Sequence, residues 1–289
     1  MIPYIDKKYQ TNTLHQRVCA VGAVYKNDDP VFLREALTSV FNQSGISFDV
    51  HIIVDGPIYE ELEVVLKEFS PDIYITRLPK SMGLGIALNT LFEEKIYDKY
   101  DIAIRFDADD INYPNRFNTL VNKMLAEDVQ LVGSHIYEID ENSTIIGSRK
   151  VPLSYSKIYW YRNFINPFNH PSTAMNIEAL RYVGGYRHCY LHEDWLLWLY
   201  FMKMGYKVEN IDDFLVGFRM NKGTIDRRFG TEYRKHEIQF YKTAITKKLI
   251  HPFFGIFGLA IRQTSKLFGK PLFQFFYRRL HLPPNSKKF

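Results

Sequence analysis

The 289-residue sequence predicts an α/β protein: a Rossmann-like, mainly parallel sheet flanked by helices, followed by a basic helical C-terminal extension. Three observations predict it. Through the first 140 residues, short apolar runs alternate with segments whose apolar residues recur at helical spacing. Turn residues and carboxylates gather where the apolar runs stop. The charge also changes along the chain. From Arg219 onward 16 Lys and Arg face three acids, a net of +13, whereas residues 1–218 carry −8 within a total of +5.

Each element has its own warrant. Val18 to Val24 is a buried-strand run. Asn27-Asp28-Asp29-Pro30 is a helix-start signal, and Leu33, Ala36, Leu37, Val40 and Phe41 then share one helix face. Val50 to Val54 reads as a second strand, stopped by Asp55-Gly56-Pro57. Leu62, Val65, Leu66 and Phe69 repeat the helical period, and Ile73 to Thr76 gives a third strand. Ser81-Met82-Gly83 opens a helix carrying Leu84, Ala87, Leu88, Leu91 and Phe92. The fourth strand, Ile102 to Phe106, runs into Asp107-Ala108-Asp109-Asp110. Phe117, Leu120, Val121, Met124 and Leu125 mark the next helix, and a strand follows around Gln130 to Tyr137. Strict alternation implies right-handed crossovers, and in such sheets ligands bind at the carboxyl ends of strands. Asp55 and Asp107 to Asp110 sit at such ends. After residue 140 the pattern loosens: Asn163 to Thr173 is loop-like, Met175 to Tyr186 ends in Gly184-Gly185, and Trp195, Trp198, Leu199 and Met202 form one more helix behind His192-Glu193-Asp194.

Composition narrows the class. At 46% hydrophobic and 24% charged, the chain is globular rather than disordered. Cys19 and Cys189 are the only cysteines, too few for a disulfide scaffold or a four-cysteine zinc site. Met1 to Gln16 lacks the apolar core of a signal peptide, and no apolar run reaches the roughly 20 residues that span a bilayer. The expectation is a cytoplasmic protein.

Asp107 and Asp109, two residues apart beyond an apolar strand, could hold one hard cation against a phosphate; the plainer alternative is a solvated turn capping the helix near Pro114. Asp55 either stabilises its own turn or accepts a base N–H. Asp194 is a first-turn acid favoured by the helix dipole or a general base at a cleft. His170 and His192 are ligands, bases or simply hydrogen-bonded histidines.

The ordered set Ala23-Val24-Tyr25, Val54-Asp55-Gly56, Gly83-Leu-Gly-x-Ala-Leu-Asn89, Arg105-Phe-Asp107-Ala-Asp109-Asp110, Gly184-Gly185-Tyr186 and Glu193-Asp194 resembles glycosyltransferase family 2 over roughly residues 17–222. Its Arg-Phe-Asp-Ala-Asp-Asp wording, with Pro114 and Arg116-Phe117 following, is similar to bacterial enzymes that assemble O-antigen, capsule or exopolysaccharide. The resemblance implies a GT-A fold, a nucleotide-sugar donor (UDP-sugar favoured), Mn²⁺ or Mg²⁺, and inversion at the anomeric carbon. It implies a catalytic domain at 1–222, with a nucleotide-sugar half at about 17–125 and an acceptor half at about 126–222, before a C-terminal segment at 223–289. On the donor side it implies Ala23 (where Pro is usual), Tyr25 on the nucleoside, Asp55 on the base edge, Gly83, Arg105, Ala108, and Asp107 and Asp109 at the metal. Arg219 falls where a loop closes over the diphosphate. Asp194 matches the base, and His170, Glu193 and Trp195 lie toward the acceptor.

Residues 232–250 read as a helix with Tyr233, Phe240, Tyr241, Ala244, Ile245 and Leu249 on one face. Beyond it, Phe253 to Ile261 and the aromatics to Tyr277 alternate with Lys and Arg, without a single acid after Glu237. Such a tail suits an anionic membrane surface and a lipid-linked oligosaccharide acceptor, with docking on the inner face of a bacterial cytoplasmic membrane and no role for nucleic acid. Packing of the same helices on the catalytic domain is the alternative. The competing functional readings are a sugar-phosphate nucleotidyltransferase and a non-catalytic membrane-associated scaffold.

Overall fold

The computed structural model describes residues 16–220 and 230–267. In chain order the first half comprises β1 (Val18–Val24), α1 (Pro30–Phe41), β2 (Asp49–Val54), α2 (Glu60–Glu68), β3 (Ile73–Arg77), α3 (Leu84–Leu91), β4 (Ile102–Arg105), β5 (Ile111–Asn112) and α4 (Arg116–Glu127). The second half comprises β6 (Leu131–Ile139), β7 (Ile145–Arg149), α5 (Tyr155–Tyr161), β8 (Ala174–Asn176), α6 (Ile177–Val183), α7 (Glu193–Lys203), β9 (Val208–Arg219), α8 (Thr231–Thr246) and α9 (Pro252–Leu267). Residues 221–229, the loop expected after Arg219, and 268–289, the outer part of the basic tail, lie outside the described residues.

The strands form one sheet in the order β3-β2-β1-β4-β8-β6-β9-β5, with β7 paired to β6. β1, β2, β3 and β4 are parallel, as the alternation predicts. The chain builds outward from β1 to β3, then returns to place β4 on the other side of β1. The carboxyl ends of β1 and β4 therefore flank a topological switch point, the place where sheets of this kind form their ligand crevice. The later strands mix directions: β6 and β9 are parallel, whereas β8 runs antiparallel between β4 and β6, and β5 and β7 are antiparallel to their neighbours. For β7 the reason is local: β6 and β7 are joined by the short Asp140 to Thr144 turn, and a connection without a crossover helix can only return antiparallel. Because β8 is reversed, the segment entering it, His170 to Thr173, lands at the same rim as the carboxyl end of β4; Arg105 N donates to Thr173 O at 2.9 Å.

Both sheet faces are covered, so β1 is apolar on both sides. Cys19 and Val21 join α3, α6, α7 and α8 in one core, while Val18, Ala20 and Val24 join α1, α2 and α4 in the other. The ring of Phe106 crosses β1 at Gly22, where a Cβ would come within 2.4 Å of it. Only glycine admits that crossing, and the crossing fixes where Asp107 emerges.

α8 contributes Phe240, Tyr241 and Ala244 to the core that holds Trp195 and Trp198 of α7. Glu237, fully buried on α8, accepts from Arg262 Nε and Gln263 Nε2 of α9, each at 2.7 Å, and the Arg262 guanidinium lies 5.5 Å from the Trp195 ring centroid. Removing one partner of a buried pair strands the other charge. Glu237→Ala is expected to lower the unfolding free energy by about 3 kcal/mol in a urea titration. A loss below about 1 kcal/mol would show that water, not Glu237, supports Arg262.

Candidate active site

Asp55 leaves β2 buried, and its carboxylate is taken up by the loop entering α3. Oδ1 accepts Met82 N at 2.6 Å; Oδ2 accepts Ser81 Oγ at 2.9 Å and Gly83 N at 3.0 Å. Gly56 (φ 85°) and Gly83 (φ 86°) both adopt the left-handed backbone this closure needs, and a Cβ at Gly56 would sit 2.5 Å from Ser81 N. Three of about four carboxylate lone-pair sites are filled, which leaves room for one further donor. Of the two sequence readings, the turn being stabilised is the neighbouring 81–83 loop rather than the Asp55 turn itself.

Beyond β4, Asp107, Asp109 and Asp110 lie near enough to one another and to Asp28 to repel electrostatically. Arginines answer them. Arg105, almost fully buried, sets Nη2 2.5 Å from Asp107 Oδ1 and donates Nη1 to Val21 O. Arg116, fully buried, donates to Arg105 O at 2.6 Å and to Asn112 Oδ1. Arg219 N donates to Asp110 Oδ1 at 2.9 Å. Its guanidinium reaches Asp109 O, Asp140 O, Glu141 O, Ser143 Oγ and Glu35 Oε2, the last at 2.6 Å. Every guanidinium nitrogen of Arg219 is engaged by the protein in this conformation. The acids still repel. Burial, then Asp107, pushes Asp109 up to about 6; burial, then Asp109 and Asp107, raises Asp110 well above the carboxylate range. Burial raises Asp28 to about 7 against the pull of the Tyr25 N–H, with Asp109 and Asp107 adding to the rise.

Across the rim, α7 presents Glu193 and Asp194 in its first turn. Asp194 Oδ1 accepts Trp195 N at 2.7 Å and Oδ2 accepts Asn166 Nδ2 at 2.6 Å. Burial raises its pKa to about 6 despite those donors, and the charge of Asp107 adds to the rise. Glu193 reaches about 7 through burial and then Asp194, and its Oε2 is a buried oxygen without a partner among the described residues. Asn89 holds the backbone of Tyr186 from both sides, Nδ2 to O at 2.6 Å and N to Oδ1 at 2.8 Å. Tyr186 Oη in turn meets His170 Nε2 at 2.8 Å. Burial, then Arg105, lowers His170 to about 3, and burial raises Tyr186, so this pair stays neutral. A Cβ at Gly85 would lie 3.5 Å from Tyr186 Cβ and 3.6 Å from Glu193 Cβ, which seats α3 directly beneath both. Tyr186, just past α6, lies within electrostatic reach of Arg105, Asp194, Asp107 and Glu193, so the ends of β4 and α6 and the start of α7 gather at one rim.

Not every expected residue joins it. Trp195 turns away to pack on Phe240 at 4.4 Å and on Tyr241. Ala108 is buried in the core under α1 and α4, and Ala23 packs against the opposite core. Tyr25 is 39% exposed beside the Asp28 turn. Asn166, in an Asn-Pro loop, gives no sign in the sequence of pairing with a residue 28 positions on. Asp28 reads there only as part of a helix start, and Arg116 and Asn89 stand in the quoted motifs without a role.

Among the described residues no group of three or more His, Cys, Asp or Glu converges on a single point. The donor chemistry nonetheless fits a hard divalent cation. Mg²⁺ is usually held by one or two carboxylates with substrate phosphate and water, and the strain on Asp109 from Asp107 is of the kind a cation relieves.

A model of glycosyl transferase family 2 matches residues 21–184. The chain is 37% identical over 220 residues to the UDP-Gal:alpha-D-GlcNAc-diphosphoundecaprenol beta-1,3-galactosyltransferase of Escherichia coli, covering 75% of this chain and 79% of that protein. It is 29% identical over 260 residues to the amylovoran biosynthesis glycosyltransferase AmsE of Erwinia amylovora, covering 89% and 96%. Among solved structures, the mannosyltransferase PcManGT from Pyrobaculum calidifontis, in complex with GDP-Man and Mn²⁺, superposes with a TM-score of 0.64 over 92% of this chain and 80% of that one, at 16% identity. The fold is GT-A.

The raised acids give the stability a distinctive slope. Glu193 and Asp194 titrate near 7 and 6 when folded, against ordinary values of 4.5 and 3.8. The folded state thus binds more protons across that window, and stability present below about pH 4 is lost as the pH rises through about 7. With divalent ions removed, the urea midpoint is expected to be higher at pH 5 than at pH 7.5, and Glu193→Gln should flatten the difference. A slope of opposite sign, or one untouched by Glu193→Gln, would refute this.

Proposed function

This chain belongs to glycosyl transferase family 2, and we propose that it is an inverting enzyme moving a sugar from a nucleotide-sugar to a hydroxyl of a lipid-linked saccharide in bacterial surface-polysaccharide synthesis. The observation that carries the reading is Asp194: a carboxylate held by two donors at the start of α7, shifted to about 6 and facing the Asp107 side of the crevice. A general base works best with a pKa near the working pH.

In the proposed reaction an acceptor hydroxyl oxygen forms its bond to the anomeric carbon as the bond from that carbon to the diphosphate oxygen breaks. The hydroxyl proton passes to Asp194, and the electron pair leaves with the nucleoside diphosphate. One displacement inverts the centre, and no second carboxylate nucleophile is needed. Asp55 keeps one acceptor site for a base N–H, with Tyr25 at the same rim. Asp107 and Asp109 would hold Mn²⁺ or Mg²⁺, which when bound supplies positive charge at the diphosphate. Arg219 serves by fixing the Asp109-Asp110 turn through its backbone contacts, and Glu193 and the His170–Tyr186 pair border the acceptor. A UDP-sugar donor and a diphospho-lipid acceptor are supported by the name of the Escherichia coli relative. In this reading the enzyme works at the inner face of the cytoplasmic membrane, on an anionic surface, where such an acceptor would be met. The nucleotidyltransferase and scaffold readings have no comparable support.

Asp194→Asn is expected to bind a UDP-sugar within about twofold of the parent while transfer falls by about 10²–10⁴. Turnover within about tenfold of the parent would remove Asp194 from the role. Asp109→Ala should weaken Mn²⁺-dependent UDP-sugar binding by about tenfold or more in calorimetry. An unchanged Mn²⁺ titration would refute the ligand assignment.

A further inference from the structure

The C-terminal helix α9 is built inside out for a helix facing water. A surface helix normally buries large apolar residues and exposes small or polar ones. Here the glycines go in. A Cβ at Gly258 would come within 2.7 Å of Asn163 O and 3.3 Å of Phe164 Cα, and one at Gly255 within 2.8 Å of Ile250 Cδ1. The large side chains go out: Phe253 is 67% exposed, Ile256 62%, Phe257 54% and Ile261 50%. Their spacing of three, four and eight residues puts them on one face.

That face does not end with α9. The Phe254 ring meets Trp160 of α5 with centroids 4.7 Å apart, and Trp160 is itself half exposed. Ile165, in the loop after α5, is 41% exposed. A contiguous exposed apolar patch of this kind marks an interaction surface. Charge points to the partner. No acid occurs after Glu237, whereas Lys247 and Lys248, both exposed, lead into α9, and ten Lys and Arg follow Glu237 altogether. Aromatic and aliphatic side chains on one face, with Lys247 and Lys248 exposed at its start and no acid in the sequence after Glu237, match the interface of an anionic bilayer. No described helix is long and apolar enough to cross a membrane, so the helix would lie in the interfacial plane.

We propose that the outer face of α9, with Trp160 and Ile165, docks this protein on an anionic lipid bilayer. The proposal rests on the sugar-transfer reading only for its purpose, which is access to a lipid-linked acceptor. The patch is next to the acceptor side of the crevice: Phe164 and Ile165 directly precede Asn166, the residue that holds Asp194 Oδ2. A membrane at Ile165 brings a lipid-anchored saccharide to the base, while the anchor stays in the bilayer. α9 is also tied to α7 through Arg262 over Trp195, so the docked helix and the base belong to one packed unit.

The test is co-sedimentation of the full chain with vesicles of phosphatidylglycerol and phosphatidylcholine in equal parts, beside pure phosphatidylcholine vesicles. The parent should bind the mixed vesicles, less tightly in high salt, and bind the neutral ones weakly. The triple variant Phe253→Gln, Ile256→Gln, Phe257→Gln changes only exposed side chains and should lose mixed-vesicle binding by about tenfold or more. Trp160→Gln should lose part of it. Both variants should keep transfer to a water-soluble short-chain acceptor analogue. A parent that ignores the mixed vesicles, or a triple variant that binds them as the parent does, overturns the proposal. So does a parent that self-associates in sedimentation velocity through this face without binding vesicles. Vesicle binding that behaves as expected, in a parent that transfers no sugar, would sink the catalytic reading and leave the docking face standing.

Discussion

Crowded negative charge at one rim of a sheet is the constraint from which the rest follows. Asp28, Asp107, Asp109 and Asp110 gather at the rim where the strand order reverses, half-buried except for Asp110, which is fully buried. A buried carboxylate is costly unless it is paired, hydrogen-bonded or protonated. The fold uses all three remedies. Arg105 pairs Asp107, the Arg219 N–H satisfies one oxygen of Asp110, and the remaining strain raises the acids that face one another. Three buried arginines, Arg105, Arg116 and Arg219, stand among these anions and offset part of their mutual repulsion.

The opposite wall is made in another way. Asp194 is positioned by polar contacts from two separate segments: the backbone of its own helix and the side chain of Asn166 in the loop before β8. α7 rests on α3 through Gly85 and is backed by α8 and α9 through Trp195, Phe240 and the Glu237–Arg262 pair. The placement of the Asp194 carboxylate therefore depends on a core that includes the C-terminal helices. Those helices show apolar residues outward while gripping inward with glycine and a buried ion pair. One packed unit thus carries both Asp194 and the outward apolar face of α9.

Much of this was legible in the chain itself. The first six long elements follow from the alternation of apolar runs and helical periods, because local burial on both faces of a parallel strand leaves a direct trace in sequence. Aspartates at strand ends were visible for the same reason: a strand's carboxyl end is a local feature. The later strands were harder to see. β5, β7 and β8 are two to five residues long, too short for a period to show, and the directions of β5 and β8 depend on partners far away in the chain.

Sequence by itself determined the sheet's parallel half, the acidic rim and the acid-free basic end, since each arises from residues close together along the chain. Tertiary structure alone decided what those residues touch. It turned Trp195 into the core, occupied the guanidinium of Arg219 with carbonyls and Glu35, gave Asp194 its partner in Asn166, and set the phenylalanines of α9 outward. A side chain's partners are fixed by packing between distant segments, and packing of that kind leaves no periodic mark on the chain that produces it.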